Sequence, residues 1–358
     1  MGKDKSRYGI YARANFFASR RNAGMEYRNL GASGLKVSPL CLGAMMFGGR
    51  TNEAETQYII SRAAEQGVNF IDSADAYNGG ESEAAVGRAI RQRRDWWVLA
   101  TKLANPTGEG PNDIGLSRRW VFTACENSLK RLGADHIDVY YLHKEDHKTP
   151  LEETVRAMGD LITQGKVRYF GVSNYRSWRI AEICNLCDSL GVPRPIVSQP
   201  LYNILNRQVE TEHLPACDYF GLGVFPYSPL ARGVLTAKYS PGTAPGDGTR
   251  AAAADKRMME TEWRHESLSL AKELSVYAES RGLTVVQFAI AWVLRNQLIT
   301  GVVAGPRTIE QWEGYLPALE VQLSNEDEAF IDARVVTGHP STPGYNDPAY
   351  PIEGRIVG

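Results

Sequence analysis

Residues 69–87 read NFIDSADAYNGGESEAAVG, and the reading of this stretch decides the fold. The run 68–71, apolar except for Asn69, reads as a buried strand. It stops on a carboxylate, Asp72, and five residues later Tyr77 sits in a turn-rich connection before a helical pattern over 81–91. Taken alone, the carboxylate is a helix cap and the phenol a surface aromatic. The rest of the chain tests that reading.

Working outward, the same strand–turn–helix unit recurs. Short β-rich apolar runs fall at 39–43, 68–71, 96–101, 137–142, 167–172, 196–199, 223–227 and 299–304. Helical periods lie between them at 53–66, 81–91, 118–132, 154–163, 177–189, 266–281 and 284–296. Most of these strands start roughly 27–30 residues apart, the length of one β-turn-α-turn unit. Eight apolar strands alternating with helices predict a (β/α)8 TIM barrel rather than an open doubly wound sheet. GEGPND and GLGVFP both lack the third glycine of a dinucleotide-binding fingerprint. The last interval carries an inserted long loop after strand seven, SPGTAPGDGT at 240–249 with an alanine run at 251–254. HPSTPGYNDPAYP at 339–351 predicts an extended C-terminal tail. Such a loop and tail are expected to shape the mouth of a pocket. The division expected is a flexible basic extension at 1–24, a barrel domain at 25–338 and a tail at 339–358.

Composition limits the function. The chain has 358 residues, 43% hydrophobic and 23% charged, with net charge −1, which gives no electrostatic footprint for nucleic acid or an anionic membrane. No apolar run reaches the roughly 18–20 residues of a membrane span. Five cysteines do not form a disulfide framework. The basic segment before Met25 lacks a clean apolar core, so it is a poor secretory signal. A cytoplasmic protein is expected.

Barrel enzymes place their chemistry at the carboxyl ends of the strands. Strand two ends on Asp72 with Tyr77 beyond it, strand three on Lys102, and strand four on His143. An ammonium ending so apolar a strand needs a partner, and Asp72 is available on the neighbouring strand. A tyrosine with a pKa of about 10 is a weak acid near neutrality, and a close ammonium is expected to lower that value. A neutral histidine can donate to a substrate oxygen. A phenol and an imidazole converging on one oxygen, with no obvious nucleophile, suit carbonyl reduction better than hydrolysis.

The chain resembles the aldo-keto reductases over roughly residues 25–340, in NFIDSADAYNGGESEAAVGRAI, ATK, DVYYLHKEDHKTPLEET, GKVRYFGVSNY, FPYSPLARGVLTAKY and, more loosely, GPRTIEQWEGYLPAL. The resemblance implies a catalytic tetrad of Asp72, Tyr77, Lys102 and His143, with Tyr77 as general acid. It implies reduction of a small aldehyde or ketone with NADPH, with NADH possible. Ser173, Asn174 and Gln199 would hold the nicotinamide carboxamide, and Tyr227 would stack on the ring. Ser228, Leu230 and Gly233 match the loop around the diphosphate. Gly305, Arg307, Thr308 and Gln311 match the adenosine-phosphate region, where Arg307 would pair with a 2′-phosphate. Gly314 and Tyr315 depart from the family's acidic pattern, which leaves the adenine contacts less defined.

Other readings compete for some residues. His143 and His147 lie four apart, but on a strand end and a loop rather than on one helix face, which argues against a metal pair. Cys184 and Cys187 read as two cysteines of a helix rather than a redox pair. Trp96 and Trp97 read as core at the start of strand three. Met45, Met46 and Phe47 follow strand one, and Met46 or Phe47 is expected to form a substrate wall. The family's long forms include potassium-channel β-subunits, so an NADPH-binding regulatory partner with little turnover is the alternative function. The helical faces show no decisive association patch, and an oligomer is possible.

Overall fold

The computed structural model describes residues 24–351. The basic extension therefore lies outside the described residues apart from Gly24. Eight parallel strands form one sheet: β1 (Leu40–Gly43), β2 (Phe70–Asp72), β3 (Val98–Leu103), β4 (Ile137–Leu142), β5 (Val167–Ser173), β6 (Val197–Gln199), β7 (Gly223–Val224) and β8 (Val302–Ala304). Strand β8 pairs with β1, Val302 opposite Leu40. The ring closes on the other side of β8 through Thr300 N–H to Val224 O and Val303 N–H to Pro226 O, both 3.0 Å. Helices α1 (Glu53–Glu65), α2 (Glu81–Ile90), α3 (Arg118–Leu132), α4 (Leu151–Thr163), α5 (Ser177–Leu190), α6 (His213–Phe220), α7 (Lys256–Thr261), α8 (His265–Ser280), α9 (Val285–Arg295), α10 (Ile309–Tyr315) and α11 (Asn325–Asp332) accompany it.

The period of two along each strand sorts the core into two layers. Cys41, Phe70, Val98, Ala100, Val139, Tyr141, Val197, Phe225 and Val303 fill the barrel interior, with Phe70 meeting Phe225 edge-on at 5.0 Å. Leu40, Leu42, Ile71, Leu99, Leu103, Tyr140 and Leu142 face the helices. The same parity carries forward. Asp72 follows Phe70 by two, Lys102 follows Ala100, His143 follows Tyr141, Gln199 follows Val197 and Tyr227 follows Phe225, so all five project to the interior at the carboxyl end.

A feature not foreseen from the sequence seals the opposite end. Arg28–Asn29 pairs antiparallel with Lys36–Val37, and Leu30 and Val37 join the interior cluster as a plug. Gly31 adopts φ +58°, and a Cβ there would lie 2.3 Å from Ile196 O, so no other residue fits. Several boundaries also move. Strand β3 starts at Val98, not at Trp96, because 91–96 form a tight turn in which Trp96 Nε1 donates to Val68 O at 2.9 Å. Lys102 therefore lies inside β3, one residue before its end. Helix α7 begins beyond the alanine run with Asp255 capping Met258 N–H. Helix α6 escaped notice because it is short and carries Pro215.

Candidate active site

At the carboxyl end of the strands a cavity of about 1050 Å³ opens, and Asp72, Tyr77 and His143 line it. Lys102 lies beneath them, fully buried. Its Nζ donates to Asp72 Oδ2 at 2.5 Å, to Ser73 O at 2.7 Å and to Tyr77 Oη at 3.3 Å. Gln199 Nε2 donates to the other Asp72 oxygen at 3.2 Å. The Tyr77 and His143 rings meet edge-on, 5.8 Å apart. Tyr77 is held by its neighbour: Asn78, at φ 51°, donates to Met45 O at 3.0 Å and Phe47 O at 2.8 Å, which pins the β2 loop to the β1 loop.

The electrostatics follow from burial. Desolvation works against the Lys102 ammonium, but Asp72 and Tyr77 outweigh it and hold its pKa above the ordinary lysine value. Desolvation pushes the Asp72 carboxyl up, opposed by Lys102 and Gln199. The Tyr77 phenol departs from the expectation of a lowered value. Burial raises its pKa; Lys102 and Arg232 pull it down, Asp72 adds to the rise, and burial wins. His143 is driven well below its usual value by burial and by Lys102 and Lys144, so the imidazole is neutral at pH 7. Its Nδ1 lies 3.0 Å from Asn105 Nδ2. With that amide donating, the ring proton sits on Nε2 as a donor.

Asn174, Gln199 and Tyr227 line the cavity in one bonded chain. Tyr227 Oη donates to Asn174 Oδ1 at 2.9 Å, and Asn174 Nδ2 donates to His143 O at 2.9 Å and to Ser173 Oγ at 3.1 Å. Ser173 itself sits just behind the wall, its hydroxyl donating to Gln199 O at 2.8 Å. Ser228, Leu230 and Gly233 line the next stretch, where Ser228, Ala231, Arg232 and Gly233 all take positive φ. Gly305, Arg307 and Gln311 follow, beside Gly314 and Tyr315. Thr308 is not on the wall; its hydroxyl caps α10 by accepting Gln311 N–H. Arg307 Nη1 donates to Gly248 O at 2.7 Å, which fastens the inserted loop over this end.

Phe47 requires a correction. It is fully buried in the outer core and does not reach the cavity, because the chain turns after β1; Met45 and Met46 form that wall instead. Sequence reading also missed Arg50, Asn105, Arg232, Lys238, Arg250 and Tyr350 on the wall. Arg232 stood in plain view within PLARG, but its left-handed φ of 53° is invisible in a sequence. Its Nε is buried with no hydrogen-bond partner. This unpaired Nε beside a run of positive-φ residues, with Arg50 and Arg250 also on the wall, forms a cradle that fits the phosphates of a dinucleotide.

His147 turns away from His143 to Glu145 Oε2, 3.1 Å away. Cys184 and Cys187 are buried on α5 as free thiols pushed up to about 12 by burial. Among the described residues no helix is long and apolar enough to cross a membrane.

A (β/α)8 barrel with a tyrosine, a histidine and a buried lysine–aspartate pair converging at its carboxyl end points to a class, the oxidoreductases. The chain belongs to the Aldo/keto reductase family, whose model matches residues 39–335, and nicotinamide cofactors are typical of that family. It is 40% identical over 302 residues to a "Probable voltage-gated potassium channel subunit beta" of Arabidopsis thaliana, covering 83% of this chain and 92% of that one. The protein of the same description from Oryza sativa subsp. japonica is 39% identical over the same shares. "Uncharacterized oxidoreductase YrpG" of Bacillus subtilis (strain 168) is 38% identical over 314 residues, 84% of this chain and 93% of that one.

Proposed function

We propose that this protein reduces an aldehyde or ketone with NADPH, with Tyr77 as the general acid and His143 orienting the carbonyl oxygen. The observation that carries the reading is one buried ammonium, Lys102, shared between the Asp72 carboxylate and the Tyr77 phenol at 2.5 and 3.3 Å. When bound, the reduced nicotinamide supplies the hydride. Tyr77 gives its proton to the nascent alkoxide, and Lys102 stabilises the phenolate left behind. Asp72 keeps that ammonium charged and in place. Neutral His143 donates from Nε2 to the same oxygen. Ser173, Asn174 and Gln199 hold the carboxamide, with Ser173 acting through the other two, and Tyr227 offers a ring face. Ser228, Leu230, Gly233 and Arg232, through its unpaired Nε, would receive the diphosphate. Gly305, Arg307 and Gln311 would hold the adenosine phosphate, with Thr308 acting only through its cap on Gln311, and Arg307 would favour NADPH over NADH. Met46 borders the substrate.

Tyr77→Phe tests the assignment. Single-turnover reduction with cofactor bound should fall roughly 10²–10⁴-fold while NADPH affinity holds; a near-wild-type rate would return Tyr77 to a structural aromatic. The names of the two plant relatives favour a second reading, an NADPH-binding regulatory partner with little turnover. Sustained NADPH oxidation across an aldehyde panel separates the two, since a partner protein stops after about one turnover per site.

A further inference from the structure

The chain leaves β3 in a strained conformation. Ala104 takes φ 111°, a region that a residue with a Cβ rarely adopts. Backbone bonds fix it on both sides. Gly115 N–H donates to Ala104 O at 3.1 Å, and His143 N–H donates to Leu103 O at 2.9 Å. Strain of this kind persists where the surroundings over-determine it, and it collects at functional sites. What the distorted turn delivers is Asn105, half-buried on the cavity wall, with Nδ2 3.0 Å from His143 Nδ1.

That contact matters because a neutral imidazole has one proton for two nitrogens. The charged groups facing the His143 ring are Lys102 from β3 and its chain neighbour Lys144, and both act with burial against the imidazolium. The remaining ring contact is the Tyr77 edge. Asn105 is therefore the group that decides where the single proton sits. An amide N–H donated to Nδ1 leaves the proton on Nε2. An amide oxygen turned to the same atom would draw the proton to Nδ1 and leave Nε2 a bare lone pair, which repels a carbonyl oxygen.

We propose that Asn105 is a positioning residue whose side-chain amide, donating to Nδ1, keeps His143 in its Nε2–H form and so able to donate to the substrate carbonyl. The donation rests on the reduction reading above; the tautomer does not.

Nitrogen-15 NMR of the histidine-labelled full chain reads the tautomer, with His143→Gln identifying the signal among the six histidines. Wild-type His143 should show a protonated Nε2 and a bare Nδ1 at pH 7. Asn105→Asp replaces the donor by a carboxylate that accepts Nδ1–H, so the tautomer should invert. Its turnover of propanal should fall roughly 10²–10³-fold near pH 8, the loss of one donor at the reacting oxygen, while NADPH affinity holds. The carboxylate also raises the ring pKa, and the imidazolium carries a proton on both nitrogens. Activity of Asn105→Asp should therefore recover towards pH 5, a rise the wild type lacks and a merely structural role would not produce. A wild-type proton on Nδ1, or an unchanged tautomer in Asn105→Asp, overturns the proposal. An inverted tautomer with undiminished turnover overturns the donation to the carbonyl. Wild-type protein in the Nε2–H form that reduces no aldehyde overturns the reduction reading and the donation with it, while the hold of Asn105 on the tautomer stands.

Discussion

Asp75 sits three residues from Asp72 and two from Tyr77, and its N–H donates to Lys102 O at 3.0 Å. Its carboxylate is buried, and neither oxygen has a hydrogen-bond partner among the described residues. The nearby Glu83 already holds Thr101 Oγ1 and the Arg131 guanidinium. Burial, reinforced by Glu83, raises the Asp75 pKa from 3.8 to about 7. The sign is unfavourable to folding: between about pH 4 and pH 7 the unfolded chain has lost a proton that the fold retains. Stability therefore falls across that window and stays lower above it. Asp75→Asn should leave stability near wild type at pH 4 and raise it by about 1–4 kcal/mol at pH 8. Urea midpoints at the two pH values decide this, and a difference independent of pH would refute it. Lys102 obeys the opposite logic towards Tyr77, since it opposes the rise that burial imposes on the phenol. Lys102→Met should cripple turnover and move residual alcohol oxidation, where Tyr77 acts as base, to higher pH than in the wild type. A pH profile that does not move would show that the ammonium leaves the phenol unaffected.

At the scale of elements, what was legible in the sequence tracks the parity of strands. Asp72, Lys102, His143, Gln199 and Tyr227 each stand two residues beyond an interior apolar residue, a relation that a strand reading exposes even when its ends are misplaced. Loop residues carry no such period. Phe47 and Met46 are neighbours of similar chemistry, and only the path of the turn after β1 sends one into the core and the other to the cavity. Arg232, Arg250 and Tyr350 stayed hidden for the same reason: their side chains reach the wall from segments without regular structure. The inserted loop is tied down through Arg307 and Gly248 O. Arg307→Ala should weaken NADPH binding by about 1.5–3 kcal/mol and NADH binding much less. Equal losses for both cofactors would show that the arginine serves the loop and does not read the 2′-phosphate.

For the molecule as a whole, the eight-unit rhythm was enough to close the barrel, because parallel strands buried on both faces admit few other arrangements. The plug was not legible. Its two-residue strands are too short for any period to register, and Leu30 and Val37 look like ordinary scattered apolar residues. Yet Leu30 is fully buried at the base of the barrel. Leu30→Ala should cost about 2–5 kcal/mol, read in thermal or urea unfolding, with catalysis at the far end of the barrel little changed. A loss below about 0.5 kcal/mol would mean that the base collapses to fill the gap.

That plug also imposes an order of assembly on the nascent chain. Arg28 Nη1 donates to Thr300 O at 3.0 Å, and Ala32 N–H to Gly221 O at 2.8 Å, so the first described segment docks on strands made last. The two ends of the Arg28–Thr300 bond are 272 residues apart. At about 5–20 residues per second, a ribosome needs roughly 15–55 s to produce the second partner after the first. Throughout that interval Leu30 and Val37 have no barrel to enter. Leu30 and Val37 are made early yet are among the last to find their place, and the newborn chain must keep them from sticking elsewhere until β8 arrives.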